Sequence, residues 1–341
     1  MSTDKIVVDA ADICCASCGI AEVDDIKMME NDACDLVKYC SDKCQQDHRP
    51  QHETMCKERV AELRDEILFR QPETSHMGEC PICFLPLPLD HQKSVMQSCC
   101  GKVICHGCGY ANLLREREEH VDHTCPFCRH PNPKNMEESN KNKMKRVEKN
   151  DPVAIREIGK KHYQKGEYQI AFEYLTKAAD LGDASAHHHL SIMYQKGEGV
   201  EKDEKKELFH LVEAAIAGHP NARYNLAVNE ERNGRCDRSI KHFIIAANLG
   251  HDGSIQALKG CYKHGDVSKE DFAGALRAHY AAVNATKSPQ RGAAEKYLAQ
   301  NAHRIVYNYL FRDHSLASTA QPIAPQLSKL YLLQAGPPPG R

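Results

Sequence analysis

Three phrases decide the fold of the longer part of this chain: Thr176-Lys177-Ala178-Ala179-Asp180-Leu181-Gly182, Val212-Glu213-Ala214-Ala215-Ile216-Ala217-Gly218 and Ile244-Ile245-Ala246-Ala247-Asn248-Leu249-Gly250. They recur at intervals of 36 and 32 residues. Each ends in glycine, which leaves a helix through a left-handed turn without steric penalty. Each is followed by a helix start: Asp183-Ala184, His219-Pro220 or His251-Asp252. Between them, Tyr163-Gln164-Lys165-Gly166, Tyr194-Gln195-Lys196-Gly197 and Cys261-Tyr262-Lys263-His264-Gly265 close the alternate helices. A unit of this length is a helix hairpin that cannot bury its own apolar face. The Ala-Ala pairs allow close approach, so the copies must stack into a solenoid. The period predicts such hairpins over residues 151–286.

Working outward, the chain has 341 residues, enough for two or three domains at about 100–200 residues each. Lys+Arg 45 against Asp+Glu 47 leaves a net charge of −2. That balance disfavours a nucleic-acid or membrane-phosphate partner, which calls for a basic surplus. Residues 1–70 hold 16 acidic and 9 basic side chains, while 134–149 hold 6 basic and 3 acidic. No run of about 18 apolar residues is present, so no membrane span is expected. The start MSTDKIVVDAADICC lacks a secretory pattern. We therefore expect a cytoplasmic or nuclear protein, neither secreted nor membrane-spanning.

Of 17 cysteines, seven fall at 14–56 and eight at 80–128; only Cys236 and Cys261 lie beyond. In a reducing compartment, clustered and paired cysteines point to metal rather than disulfides, and Zn²⁺ is the expected cofactor. The chain then divides as follows. Residues 13–56 form one zinc module. Residues 57–77 form a helical linker, with Val60, Leu63, Ile67 and Leu68 on one face. Residues 78–133 form a second zinc module, and 134–150 a charged linker or exposed helix start. The repeats occupy 151–286, a C-terminal helix 287–314, and a Pro-rich, disordered tail 315–341. The run Lys141-Asn142-Lys143-Met144-Lys145-Arg146 reads as solvated linker before it reads as a nuclear signal. His187-His188-His189 point in different directions on a helix, so they are read as solvated or packing residues rather than ligands of one ion.

The segment Gly197-Glu198-Gly199-Val200-Glu201-Lys202-Asp203 resembles the signature of the Sel1-like repeat, a relative of the tetratricopeptide repeat. The resemblance covers about four units and implies a concave surface for a protein substrate or adaptor.

The first cysteine segment reads Cys15-x2-Cys18, then Cys34-x5-Cys40-x3-Cys44-x7-His52-x3-Cys56. Cys and His at such offsets supply tetrahedral zinc sites. The run from Tyr39 to Cys56 resembles the second half of a MYND-type zinc finger, whose two sites interleave. That resemblance implies one site from Cys15, Cys18, Cys40 and Cys44, and another from Cys34, His52 and Cys56. Asn31, a poor zinc donor, occupies the remaining position. Either Asp32 stands in for it or the site is incomplete.

The second segment holds Cys80-Pro81-Ile82-Cys83, then Cys99-Cys100-Gly101-Lys102-Val103-Ile104-Cys105-x2-Cys108, then Cys125-Pro126-Phe127-Cys128-Arg129. It resembles the RING finger, a cross-brace in which alternate cysteine pairs share a zinc. The resemblance implies one site from Cys80, Cys83, Cys105 and Cys108. Cys99, Cys100, Cys125 and Cys128 are the best assignment for the other, with His106 or His123 as substitutes for one of the adjacent cysteines. A RING has no nucleophile; it docks a ubiquitin-conjugating enzyme and holds its thioester-linked ubiquitin in a near-attack geometry. By the same resemblance Ile82 and Pro126 form the apolar docking patch, and Arg129 hydrogen-bonds ubiquitin and its carrier. The plainer readings are a turn-shaping Pro126, a minor core residue at Ile82 and a surface Arg129.

A catalytic cysteine is not expected, because every well-placed thiol is assigned to metal. The resulting reading is a multidomain chain: two small zinc-binding modules, MYND-like and RING-like, followed by an all-α helical-hairpin solenoid. Its expected function is that of a RING-type ubiquitin-protein ligase whose repeats recruit substrate. The alternative is a non-catalytic zinc scaffold for protein–protein interactions.

Overall fold

The computed structural model describes residues 29–30, 38–39 and 41–301. The chain divides into two compact units, one ending at Pro72 and one beginning at Glu73. In the first, β1 (Met29–Glu30) pairs antiparallel with β2 (Lys38–Tyr39), Met29 opposite Tyr39. Helix α1 (Asp42–Leu68) follows, its first turn capped by the Ser41 side chain, which accepts from the Cys44 N–H at 3.3 Å. The helix thus begins inside the first cysteine segment, well before the linker boundary at 57, and carries Cys44, His52 and Cys56 in one element.

The second unit opens with the cysteine segment. Its hairpin pairs β3 (Ser94–Met96) with β4 (Val103–Cys105), Val95 opposite Ile104. Helix α2 (His106–Glu118) leaves β4 directly, and the Cys105 side chain caps it. Helix α3 (Met136–Val147) occupies the charged stretch read as a linker or exposed helix start. Its last turn is buried: Arg146 Nη2 donates to Asp151 Oδ2 at 2.5 Å and lies where a Cβ on Gly101 would stand. The stretch is polar over most of its surface, yet this one end is built into the unit.

Four hairpins follow: α4 (Pro152–Gln164) with α5 (Tyr168–Asp180), α6 (Ala184–Lys196) with α7 (Glu204–Ile216), α8 (Pro220–Arg232) with α9 (Cys236–Asn248), and α10 (Asp252–His264) with α11 (Lys269–Ala285). A last helix, α12 (Pro289–Gln300), begins within the expected C-terminal span. That span from 302 onward, and the tail 315–341, lie outside the described residues.

The repeated phrase makes the same joint three times. Gly182, Gly218 and Gly250 take φ of 84°, 79° and 89°. The next N–H turns back into the helix just ended: Asp183 to Ala178 O, His219 to Ala214 O, His251 to Ala246 O. Each of those residues then caps the following helix with its side chain, onto Ala186, Ala222 and Ser254 respectively. One residue therefore ends a helix and starts the next, which sets the angle between successive hairpins. The Ala-Ala pairs sit in the seams, with Ala178, Ala214, Ala215, Ala246 and Ala247 fully buried and Ala179 nearly so. Leu175, Leu190, Leu226 and Leu258 fill the layers between, each burial stabilising the fold by about 2–3 kcal/mol. No helix among the described residues is long and apolar enough to cross a membrane.

The His187-His188-His189 run is packed rather than solvated. His187 Nδ1 lies 2.9 Å from His210 Nδ1, and His188 stacks on His219 with centroids 4.4 Å apart. Burial lowers His188 to about 4 and His189 to about 3. His189 faces Tyr163, centroids 6.5 Å apart, so the three make different contacts and do not form one ion site.

Candidate metal centres

Two turns of the cysteine segment are built alike. In Cys80-Pro81-Ile82-Cys83-Phe84, the Phe84 N–H donates to Cys80 O, and the Cys80 N–H donates to Leu85 O. In Cys125-Pro126-Phe127-Cys128-Arg129, the Arg129 N–H donates to Cys125 O, and the Cys125 N–H donates to His130 O. Phe84 and Arg129 both take left-handed φ, 56° and 62°. Each turn is closed by an isolated bridge, Glu79 with Pro86 and Thr124 with Pro131. The proline after the first cysteine favours such a turn, because its φ is already set.

The hairpin and α2 supply the partners. Cys80, Cys83, Cys105 and Cys108 converge with all four sulfurs within 4.8 Å of one another, and so do Cys99, Cys100, Cys125 and Cys128. In a tetrahedral site with Zn–S of about 2.3 Å, sulfurs stand about 3.8 Å apart. Cys83 and Cys105 are 3.8 Å apart, Cys100 and Cys125 3.8 Å, and Cys99 and Cys128 3.4 Å. The donor set and its spacing fit zinc.

The electrostatics explain why a cation belongs there. A hydrogen bond from Cys105 lowers Cys80 to about 4, and the same bond drives Cys105 far up. Burial raises Cys108 to about 12, and Cys99 and Cys100 also rise. Four thiols so close cannot all ionise against one another, and a divalent ion removes that repulsion. Backbone N–H groups already aim at the sulfurs: Cys108 N–H at Cys105 (3.4 Å) and Cys128 N–H at Cys125 (3.5 Å).

The adjacent Cys99 and Cys100 reach the same quartet because Gly101, at φ 75°, turns the chain sharply behind them. His106 and His123 stand outside it. His123 Nδ1 instead lies 2.9 Å from the buried carboxylate of Glu116. Burial pushes Glu116 up, but His123, the Thr124 N–H and hydroxyl, and Asn112 outweigh it and hold Glu116 at about 2. This network ties α2 to the Cys125 turn, with Asn112 Nδ2 also donating to Thr124 O at 3.2 Å. No periodicity in the sequence announces it, since Glu116 sits in the charged run Arg115-Glu116-Arg117-Glu118.

Ile82 is exposed at the tip of the first turn, and Pro126 is half-buried in the second. Arg129 is exposed and its Nη1 donates to Asn112 Oδ1 at 3.2 Å. Arg291, on α12, also reaches this region: its guanidinium donates to Pro86 O and Leu85 O and lies 3.4 Å from Cys83 Sγ. Sequence spacing had no means of pointing to it. In the first cysteine segment, Cys44 stands in the first turn of α1, and positions 52 and 56 lie one turn apart farther along. Cys15, Cys18, Cys34 and Cys40 lie outside the described residues.

Residues 15–56 match the MYND finger family, and residues 152–183, 184–219 and 220–251 each match the Sel1 repeat. The three repeats correspond to the α4–α5, α6–α7 and α8–α9 hairpins. The α10–α11 hairpin lies past the matched residues, although His251 caps its first helix as His219 caps α8. Solved structures similar to this chain include two of note. One is a Sel1 repeat protein from Oxalobacter formigenes, with 24% identity and a TM-score of 0.39 over 52% of this chain and 72% of that one. The other is a protective antigen of uropathogenic Escherichia coli strains displaying an SLR fold, with 28% identity and a TM-score of 0.37 over 43% of this chain and 33% of that one. No curated protein matches. A MYND finger is a zinc-binding domain, and the chain joins such a finger, through a second cysteine segment able to hold zinc, to an all-helical array of Sel1 repeats.

Proposed function

We propose that this chain is a zinc-stabilised scaffold that assembles proteins on separate surfaces. The observation that carries the reading is the α4–α11 stack. Each hairpin contributes side chains to a continuous surface while its Ala-Ala seam does the packing, so outward residues are free to serve partners. Phe209 and Tyr280 are about half exposed on that stack, at 50% and 58%. Large aromatics are the residue type most often found dominating protein interfaces. A protein substrate or adaptor bound on the repeats is the partner this chemistry fits. The test is reconstitution of the full chain with partners found by proximity labelling and then purified. Phe209→Asp or Tyr280→Asp should weaken a reconstituted partner roughly tenfold or more, with zinc content and helicity unchanged. If every partner binds both variants as it binds wild type, the repeats are not the docking surface.

A second reading is favoured by one specific feature: the interleaving of the Cys80/Cys83/Cys105/Cys108 quartet with the Cys99/Cys100/Cys125/Cys128 quartet. Such a cross-brace is the architecture the RING resemblance implies. In this reading the two turns dock a ubiquitin-conjugating enzyme. The exposure of Ile82 and the Arg129–Asn112 bond are compatible with the roles of an apolar anchor and an orienting donor. Zinc would hold the turns rigid and take no part in the transfer. The chain would supply position alone, bringing the thioester and an attacking lysine together. The test is thioester discharge to free lysine across a panel of conjugating enzymes. Ile82→Ala should weaken enzyme binding, and Arg129→Ala should slow discharge while leaving binding nearly intact. Zinc-loaded protein that neither binds nor discharges any member leaves the scaffold reading alone.

A further inference from the structure

The first quartet is the more buried of the two, with Cys83 alone partly exposed. Cys80, Cys105 and Cys108 are 0%, 1% and 4% exposed, whereas Cys128 of the second quartet is open to solvent. Four thiolates around a divalent cation carry a net charge of −2. Water can offset much of that charge at the second quartet, but at the first, with three of its four sulfurs buried, the protein must supply more of the offset. Among the described residues, the cation in contact with this quartet comes from 208 positions away. Arg291 is 7% exposed; its Nη1 donates to Pro86 O at 2.7 Å and to Thr286 O at 2.6 Å. Its Nη2 donates to Leu85 O at 3.2 Å and to Cys83 Sγ at 3.4 Å. The planar fork thus caps the carbonyls of the first cysteine turn and a ligand sulfur at once, a task the point charge of a lysine performs poorly. The approach depends on Gly107, where a Cβ would come within 2.9 Å of Arg291 Cγ and 3.0 Å of the Arg291 backbone N. Farther along α12, Tyr297 packs on Tyr110 of α2, centroids 4.8 Å apart, and accepts a hydrogen bond from Arg117 at 3.1 Å.

We propose that Arg291 is a positioning residue for the metal held by Cys80, Cys83, Cys105 and Cys108, and that docking of α12 and filling of this quartet therefore stabilise each other. The inference rests on the zinc-holding reading of that quartet. Its consequence is that the end of the helical array reports on, and is tightened by, the metal state of the cysteine segment.

The test uses the full chain loaded with zinc and challenged with a chelator. Metal release is read site by site from the alkylation rate of each cysteine by mass spectrometry, and hydrogen exchange is followed over residues 289–300. Arg291→Gln should weaken zinc retention at the first quartet by roughly tenfold or more, as loss of an outer partner of a metal ligand does, and leave the second quartet unchanged. Arg291→Lys should fall between. Tyr297→Ala loosens α12 without touching a sulfur, so it should raise exchange in α12 yet release less zinc than Arg291→Gln. Stripping zinc from wild type should itself raise exchange in α12. The proposal is overturned if Arg291→Gln leaves first-quartet alkylation unchanged, if both quartets weaken alike, or if Tyr297→Ala matches Arg291→Gln. A wild-type chain that takes up no zinc at this quartet overturns the zinc reading as well, which separates the two failures.

Discussion

The imidazole of His219 lies against that of His76, centroids 4.1 Å apart and planes 26° from parallel. His219 also stacks on His188 of the preceding hairpin, and the His76 N–H donates to Gly218 O at 3.0 Å. The segment that leads into Cys80 is thereby fastened to the joint between the second and third hairpins. His219 Nδ1 accepts from the Ala222 N–H at 3.3 Å, so that nitrogen must be unprotonated for the α8 cap to form.

Acid should loosen this joint. Burial, reinforced by His91, Arg156 and His188, lowers His76 to about 3, and burial alone lowers His188 to about 4. His219 is driven well down by burial and by the neighbouring histidines. All three are ordinary histidines near 6.5 in the unfolded chain. Between those folded values and 6.5 the unfolded chain binds more protons, so stability rises with pH. Below 6.5 each such histidine should cost about 1.4 kcal/mol per pH unit. His219→Asn keeps a capping oxygen and removes one titrating group. Thermal melts from pH 7 to 4 should show a shallower slope for this variant than for wild type; equal slopes would mean that the stack does not titrate in this range.

Metal removal should act locally. Native mass spectrometry of the full chain should show Cys83→Ser and Cys128→Ser each losing one zinc ion, from different quartets, because each breaks a separate tetrahedral set. Helical circular dichroism should fall only slightly in either variant, since α4–α11 are held by apolar seams. Loss of both ions in a single variant would show that the quartets fill cooperatively.

The joints predict which deletions are tolerated. Removing 183–218 joins Gly182 to His219, recreating the Gly218–His219 joint with an Ala-Ala seam on each side. That variant should keep cooperative melting at reduced stability. Removing 183–200 leaves an unpaired helix with an exposed seam and should lose cooperativity. Matching melts would show that the repeating unit is not the hairpin.

The two cysteine turns should welcome glycine at the same place. Phe84 is 72% exposed at φ 56°, so Phe84→Gly removes strain at little packing cost. It should stabilise the metal-loaded segment by about 0.5–1 kcal/mol, whereas Phe84→Val should destabilise it by a similar amount. Differential scanning calorimetry of the full chain reads both signs.

Much of this architecture was legible in the residues. The glycine-ended phrases announced the hairpins because a helix stop, a cap and a small-residue seam are all local requirements. The cysteine pairs announced metal because thiols two residues apart satisfy one ion from a single turn. Other features were not legible. The 134–150 stretch reads as linker because only its last turn is buried, and Arg146 looks like any surface arginine until Gly101 is seen beneath it. Glu116 looks like one charge among several until Thr124 and Asn112 surround it.

By itself, then, the sequence determined the helical period, the joints between hairpins and the supply of zinc donors, all set by neighbours within a few positions. Tertiary structure alone decided that His123 turns to Glu116 rather than into the second quartet, and that Arg291 arrives at Cys83. The physical reason is range. The Arg291–Cys83 contact joins residues 208 positions apart. It forms only because the hairpins, in stacking to bury their seams, carry α12 back to the first cysteine turn.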